Sequence, residues 1–320
     1  MQSAPILEVR NLEKRFNMEA GFFARFGQFV YAVNGVSFDL FRGETYGLVG
    51  ESGCGKTTTA RLLLGMYGAT AGSIVYQPLD GSGLDVCAMS KQELKAYREK
   101  VKYIFQDPAK SLNPRHRVRD ILLSGPRWSR SWAGKKAALE EAAAILEEAG
   151  LAPSDLDRRP QDFSGGQRQR ISIARALLMK PEILVCDEVV SALDVSIQGQ
   201  ILNLLLDLRE KRGLSAIFIT HDLKIACYFC DRIGVMYWGE LVEEALAADF
   251  FQTASHPYSR LLFDSVSADQ TTRAGEVQTP YTELTGCSFA PRCPYANDRC
   301  RMEHPPLRPG GAQHRIRCFR

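Results

Sequence analysis

No stretch of about 18 consecutive apolar residues occurs in this 320-residue chain, so none of it is expected to span a bilayer. Residues 1–16, MQSAPILEVRNLEKRF, carry acidic residues early and lack an apolar h-region, so no secretory signal is expected. Neither charge sign is in large excess: 40 Lys and Arg against 37 Asp and Glu leave a formal +3. That balance gives no case for a bulk nucleic-acid binder, and no nucleic-acid partner is expected. Low-complexity tracts and internal repeats are missing. With 45% hydrophobic and 24% charged residues, disorder as the main state is excluded. Nine cysteines without an export signal argue for a reducing compartment and against a disulfide scaffold. Four of the nine fall in the last 34 residues.

What is present reads as alternating short apolar runs and amphipathic helices over the first 250 residues. Strands are expected at TYGLVG (45–50), VKYIF (101–105), EILVCD (182–187), SAIFIT (215–220) and RIGVMY (232–237). Helical patterns lie between them at 135–149, 166–179 and 198–212, with Gly150 placed to cap the first. Such alternation argues an α/β fold with a mostly parallel sheet. ILEVRNLEKRF and YAVNGVSFDL alternate without an intervening helix, so a small N-terminal antiparallel sheet is expected. HPYSRLLFDSV (256–266) still looks helical. Beyond it no helix or strand of useful length fits 285–320, which reads as a coreless tail in need of a staple.

Gly50-Glu51-Ser52-Gly53-Cys54-Gly55-Lys56-Thr57 fits G-x-x-x-x-G-K-[ST] after an expected strand and before an expected helix, TTTARLLLG. The glycines let backbone N–H groups turn inward around a phosphate, and the helix N-terminus adds partial positive charge. Lys56 can reach β- and γ-phosphates, and the Thr57 hydroxyl can ligate Mg²⁺. Thr58 continues this ATP-binding run. Four apolar residues, Ile183 to Cys186, precede Asp187 and Glu188. A buried strand would deliver both carboxylates to one sheet edge, Asp187 for Mg²⁺ and Glu188 as general base for water.

Phe163-Ser164-Gly165-Gly166-Gln167, followed by RQRISIARAL, resembles the LSGGQ signature of the ABC ATPase family, with Phe in place of Leu. The resemblance implies that Ser164, Gly165, Gly166 and Gln167 bind the ATP held by a partner copy. It makes Gln106 the Q-loop glutamine that senses Mg²⁺ and the membrane partner. Ser191-Ala192-Leu193-Asp194 becomes the D-loop, with Ser191 and Asp194 as its site residues, His221 the switch histidine and Phe16 the aromatic that stacks on adenine. Val189 departs from the Pro or Ala of many relatives. FQDPAKSLNPR (105–115) and CDEVVSALDVSIQGQILNLL (186–205) resemble the F-type ATPase subunits of peptide and nickel importers.

By that resemblance residues 1–250 form a nucleotide-binding domain, with a helical subdomain at about 107–167 and a C-terminal extension at 251–320. The chain is then half of a motor. Its implied partners are a second, paralogous ATPase, two transmembrane permease subunits and, indirectly, an extracytoplasmic solute-binding protein. It would sit peripherally on the cytoplasmic face of the inner membrane, hydrolysing ATP with Mg²⁺ to power uptake of peptides or related solutes. A soluble ABC ATPase outside transport, a phosphate-loop kinase and a redox sensor are the competing functions.

Cys287, Cys293, Cys300 and Cys318 are spaced C-x₅-C-x₆-C-x₁₇-C, enough thiolates for one metal or cluster. GCSFAPRCPYANDRC with HRIRC resembles the extension of oligopeptide and dipeptide ATPases, some of which hold a [4Fe–4S] cluster. Three occupancies stand: that cluster, zinc, or unmetallated packing. From 287 to 320 seven Arg face one Asp and one Glu, a local +5 that offsets any anionic tetrathiolate. Cys54 and Cys186 read as small packing residues, and so do Cys227 and Cys230 on an expected helix. Phe22, Phe23, Phe26 and Phe29 in the 18–30 segment are expected to pack in a hairpin against the N-terminal sheet or a partner subunit, with a membrane-touching loop as the alternative.

Overall fold

The computed structural model describes residues 4–17, 29–79, 81–129, 132, 134–264, 285–311 and 313–320; Phe22, Phe23 and Phe26 lie outside them. Two compact units emerge, Met1–Met89 with Phe218–Arg320, and Ser90–Ile217.

The first unit begins with β1 (Pro5–Asn17), β2 (Phe29–Phe41), β3 (Thr45–Val49), α1 (Lys56–Leu63), β4 (Ala71–Tyr76) and β5 (Leu84–Asp85). The sheet order β2-β1-β4-β5 is antiparallel throughout. Alternating apolar residues drive it: Ile6, Leu7, Val9 and Leu12 of β1 and Val33, Val36, Phe38 and Leu40 of β2 are buried. β3 is buried at every position.

The second unit holds α2 (Lys91–Lys100), β6 (Val101–Ile104), α3 (Pro108–Ser111), α4 (Val118–Leu123), α5 (Lys135–Glu148), α6 (Gly165–Leu177), β7 (Ile183–Asp187) and α7 (Val195–Arg212). A Ser90–Glu93 capping box starts α2. Helices α4, α5 and α6 pack on one another. Strands β6 and β7 pair in parallel, from Val101 opposite Ile183 to Ile104 opposite Cys186.

β8 (Ser215–Thr220) leads the chain back to the first unit, which adds α8 (Leu223–Phe229), β9 (Arg232–Tyr237), β10 (Glu240–Leu246), α9 (Phe250–Thr253) and α10 (Pro257–Asp264). The extension contributes α11 (Asp298–Met302), β11 (Arg308–Gly311) and β12 (His314–Ile316). β3 and β9 are parallel, as expected of the core, but the pairs β9–β10, β10–β12 and β12–β11 are antiparallel.

The coreless-tail expectation needs correction. β12 pairs with β10, Phe289 and Ile316 are buried, and His314 Nε2 lies 2.8 Å from Glu243 Oε1 of β10. The strands escaped the sequence pattern because Pro309, Gly310 and Gly311 interrupt them. Their pairing comes from the open edge of β10, where Glu243 is fully buried, and not from an apolar run of their own. Among the described residues no helix is long and apolar enough to cross a membrane.

Candidate functional site

In the first unit, β3 delivers Gly50 and the loop that follows it to the N-terminus of α1. Gly55, at φ 108°, is the residue before the first helical turn. A Cβ there would stand 2.3 Å from the Ala32 carbonyl oxygen, and one on Gly50 would stand 2.3 Å from that of Met236. Glycine is therefore required twice for close backbone approach and once for a left-handed turn. The Lys56 ammonium, 5% exposed, donates to the carbonyls of Gly50 (2.7 Å) and Glu51 (2.9 Å). It spans a loop whose exposed residues are Ser52 and Gly53. A cation held this way, with helix N–H groups beside it, is an anion cradle. Cys54 is buried, and burial pushes its thiol up, which fits packing.

Thr57 and Thr58 are half-buried in the first turn of α1. Phe16 is half-buried near the end of β1, edge-on to Tyr67 at 5.5 Å, with the Lys14 ammonium 5.1 Å from its ring centre. His221 is exposed between β8 and α8, where Asp222 caps the helix by accepting from the Lys224 and Ile225 N–H groups.

In the second unit, β7 carries Asp187 at its C-terminal end, 4% exposed, followed by Glu188. Gln106 follows β6, the parallel neighbour, so both loops leave one edge. Gln106 Nε2 donates to Glu188 Oε2 at 2.8 Å. Tyr103 of β6 donates its hydroxyl to Asp187. Tyr103 was not singled out from sequence; the parallel register opposite Val185 is what brings it to Asp187. Glu188 takes φ 48°, a left-handed backbone that costs a non-glycine residue about 1 kcal/mol or more. Ser191 Oγ donates to the Glu188 carbonyl at 2.9 Å, and Asp194 is the N-cap residue of α7.

Ser164 caps α6: its Oγ accepts from Gln167 N–H at 3.3 Å, while its own N–H donates to Gln167 Oε1 at 3.0 Å. Gly165 is exposed. Gly166 is buried, and a Cβ on it would stand 2.6 Å from Ile197 Cγ2 of α7. Phe163 is buried beneath the Arg158 guanidinium, 4.3 Å from its ring centre.

The four extension cysteines line one cavity of about 290 Å³, together with His256, Phe289, Tyr295 and Arg320 among others. Burial pushes the Cys287 and Cys293 thiols up, with neighbouring cysteines of the set adding to the shift. Among the described residues no three His, Cys, Asp or Glu side chains stand together as the ligand set of a single ion. Cys186 and Cys227 are inert packing thiols, pushed by burial up to about 12 and about 11. Cys230 is buried at the end of α8, its Sγ 2.9 Å from where a Cβ on Gly47 would lie.

Comparison with known proteins follows the same outline. Residues 33–191 match the family described as ABC transporter, and residues 242–300 the family described as oligopeptide/dipeptide transporter, C-terminal region. The chain is 42% identical to the "Probable peptide ABC transporter ATP-binding protein y4tS" of Sinorhizobium fredii, over 96% of this chain and 87% of that one. It is 39% identical to the oligopeptide transport ATP-binding protein AppF of Bacillus subtilis, over 98% and 96%. Among solved structures it is similar to cbiO1 of Clostridium perfringens, part of the ABC transporter complex cbiONQ. That match has TM-score 0.65, 25% identity, and covers 79% of this chain and 92% of that one. It is also similar to a dimeric ATP-binding cassette, MJ0796, in a post-hydrolysis state bound to ADP and Pi. Here the TM-score is 0.64, the identity 26%, and the coverage 75% and 98%.

Proposed function

Because this chain belongs to the ABC transporter family of ATPases, we propose that it is the ATP-hydrolysing subunit of a peptide importer. Full-length relatives named for peptide and oligopeptide transport support the cargo class. The match of residues 242–300 to the oligopeptide/dipeptide transporter C-terminal region supports it independently. The observation that carries the ATPase reading is the glycine-hinged loop with Lys56 buried across it at the N-terminus of α1.

In this reading residues 50–58 grip the phosphates of ATP and Phe16 stacks on the adenine. Mg²⁺ neutralises the β- and γ-phosphates when bound. The Thr57 hydroxyl, Gln106 and Asp187 are the residues that would hold it, and hard oxygen donors suit that ion. Glu188 orients and deprotonates the attacking water, and His221 contacts the γ-phosphate. Ser164, Gly165, Gly166 and Gln167 bind the nucleotide of a second ATPase, whose own signature closes on this chain's ATP. Ser191 and Asp194 line that junction. The dimeric relative with ADP and Pi supports pairing. The partner copy is paralogous, two permease subunits complete the transporter, and a solute-binding protein feeds it. The chain acts on the cytoplasmic face of the inner membrane.

For the extension we propose a [4Fe–4S] cluster on Cys287, Cys293, Cys300 and Cys318. Four thiols lining one shared cavity, in a segment whose sequence resembles extensions that hold such a cluster, support this reading. The group would staple the extension, with no redox step asked of it.

Co-expression with candidate permease subunits tests the transport reading. A membrane complex whose ATPase activity is lost in Lys56→Ala and Ser164→Arg is expected. Full activity of a strictly monomeric chain, indifferent to Ser164, overturns it.

A further inference from the structure

The phosphate loop and the cysteine-lined extension lie in the same compact unit, and one ion pair joins them. Arg292 ends a single helical turn, Ala290–Arg292, between Cys287 and Cys293. Its Nη1 donates to Glu51 Oε2 at 2.8 Å and its Nη2 to Glu51 Oε1 at 3.0 Å. This is a two-pronged guanidinium–carboxylate pair, the strong and orientation-specific kind. Its side chains are 28% and 16% exposed.

Glu51 is the second residue of the phosphate loop, and each of its polar groups is held. Its N–H donates to Tyr258 Oη at 2.9 Å, its carbonyl accepts from Lys56, and its carboxylate accepts from Arg292. Phe289, fully buried in the extension, packs edge-on to Tyr237 at 5.2 Å and against Tyr258 at 5.4 Å. A packed path therefore runs from Cys287 through Phe289 and Arg292 to the loop that Lys56 spans.

We infer that Arg292 is a positioning residue of the nucleotide site, lent to the phosphate loop by the extension, and that it sets the loop's affinity for a nucleotide polyphosphate. The inference rests on the ATP-binding reading of that loop. The physical reason is charge. A lone carboxylate within a phosphate loop repels a polyanionic ligand; paired with a guanidinium, it does not. Displacing the 287–293 segment would unmask Glu51 and weaken nucleotide binding without touching Lys56 or Thr57. The extension thereby reports its own integrity to the motor.

The test is equilibrium ATP binding by the full chain, comparing wild type, Arg292→Ala, Arg292→Lys, Glu51→Ala and the Glu51→Ala/Arg292→Ala double variant. Arg292→Ala is expected to raise the Kd for ATP about tenfold, from a repulsion of partly screened charges at close range. The penalty should shrink as salt is raised, Arg292→Lys should recover part of it, and Arg292→Ala should cost nothing further in the Glu51→Ala background. A purely structural role predicts the same penalty in both backgrounds and at every salt concentration, and that result overturns the inference. So does an Arg292→Ala chain that binds ATP as wild type does. A wild-type chain that binds no ATP overturns the nucleotide reading itself, and this inference with it.

Discussion

Gln106 Nε2 donates a 2.8 Å hydrogen bond to Glu188 Oε2, so the residues proposed as Mg²⁺ sensor and general base hold each other. The carboxylate oxygen engaged by Gln106 is one a catalytic water would need. If Glu188 is the base proposed above, exchanging that partner for water is part of activation. Glu188→Gln keeps the shape and removes the base. Turnover should fall by about 100-fold or more, the usual contribution of a positioned general base. ATP binding should persist, trapping a closed dimer visible by size-exclusion chromatography with ATP. Wild-type turnover in this variant would remove Glu188 from the role.

Tyr103 makes the equivalent bond to Asp187. Its hydroxyl stabilises a nearly buried carboxylate and competes with any cation for the same oxygen. Tyr103→Phe should cost about 1.5 kcal/mol of stability, typical of a hydrogen bond to a charged group. It should also lower the Mg²⁺ concentration needed for half-maximal ATPase activity. A urea midpoint and a Mg²⁺ titration check the two halves. An unchanged Mg²⁺ requirement would separate Tyr103 from the metal.

The residues that were readable in sequence are those whose signal is local. β8 and β9 are dominated by apolar residues, and their limits match the expected 215–220 and 232–237. α5 ends one residue before the expected Ala149, at the cap formed with Gly150. The glycine loop falls between strand and helix as its spacing required. Unread features depend on partners distant in the chain. β5 is a two-residue edge strand held only by β4, and β11 and β12 pair only because β10 offers an edge. Tyr103 faces Asp187 through parallel register, and Arg292 meets Glu51 from 241 residues away. One local signal was available and unused: Ser90-Lys91-Gln92-Glu93 is a capping box, which marks the start of α2.

His256 makes stability depend on pH. It is 1% exposed, its Nδ1 accepts the Tyr258 N–H at 3.1 Å, and burial lowers its pKa from 6.5 to about 4. Folded chains keep this imidazole neutral, whereas unfolded chains take up a proton below 6.5. The contribution of His256 is therefore fully present above about pH 6.5 and is lost as pH falls toward 4, at about 1.4 kcal/mol per pH unit. Over the whole window this is on the order of 3 kcal/mol. His256→Gln should flatten the pH dependence of the urea midpoint in that window. An unchanged slope would assign it to other groups.

Metal loading of the extension carries its own pH signature. Burial raises the pKa of the Cys287 and Cys293 thiols, so both are protonated in the metal-free chain at neutral pH. A metal or cluster binds thiolates and must expel those protons, so its affinity falls as pH falls. Anaerobic reconstitution should therefore give iron and acid-labile sulfide in equal amounts, with uptake declining toward acid. Cys293→Ser should lose most of both and also lower the melting temperature of the loaded protein. That loss should be absent when wild type and variant are compared without iron. Stoichiometric zinc with no sulfide would assign the four thiols to a single ion that draws them inward. Neither metal, with an unchanged melting temperature in Cys293→Ser, would leave the cavity to Phe289 and its aromatic neighbours.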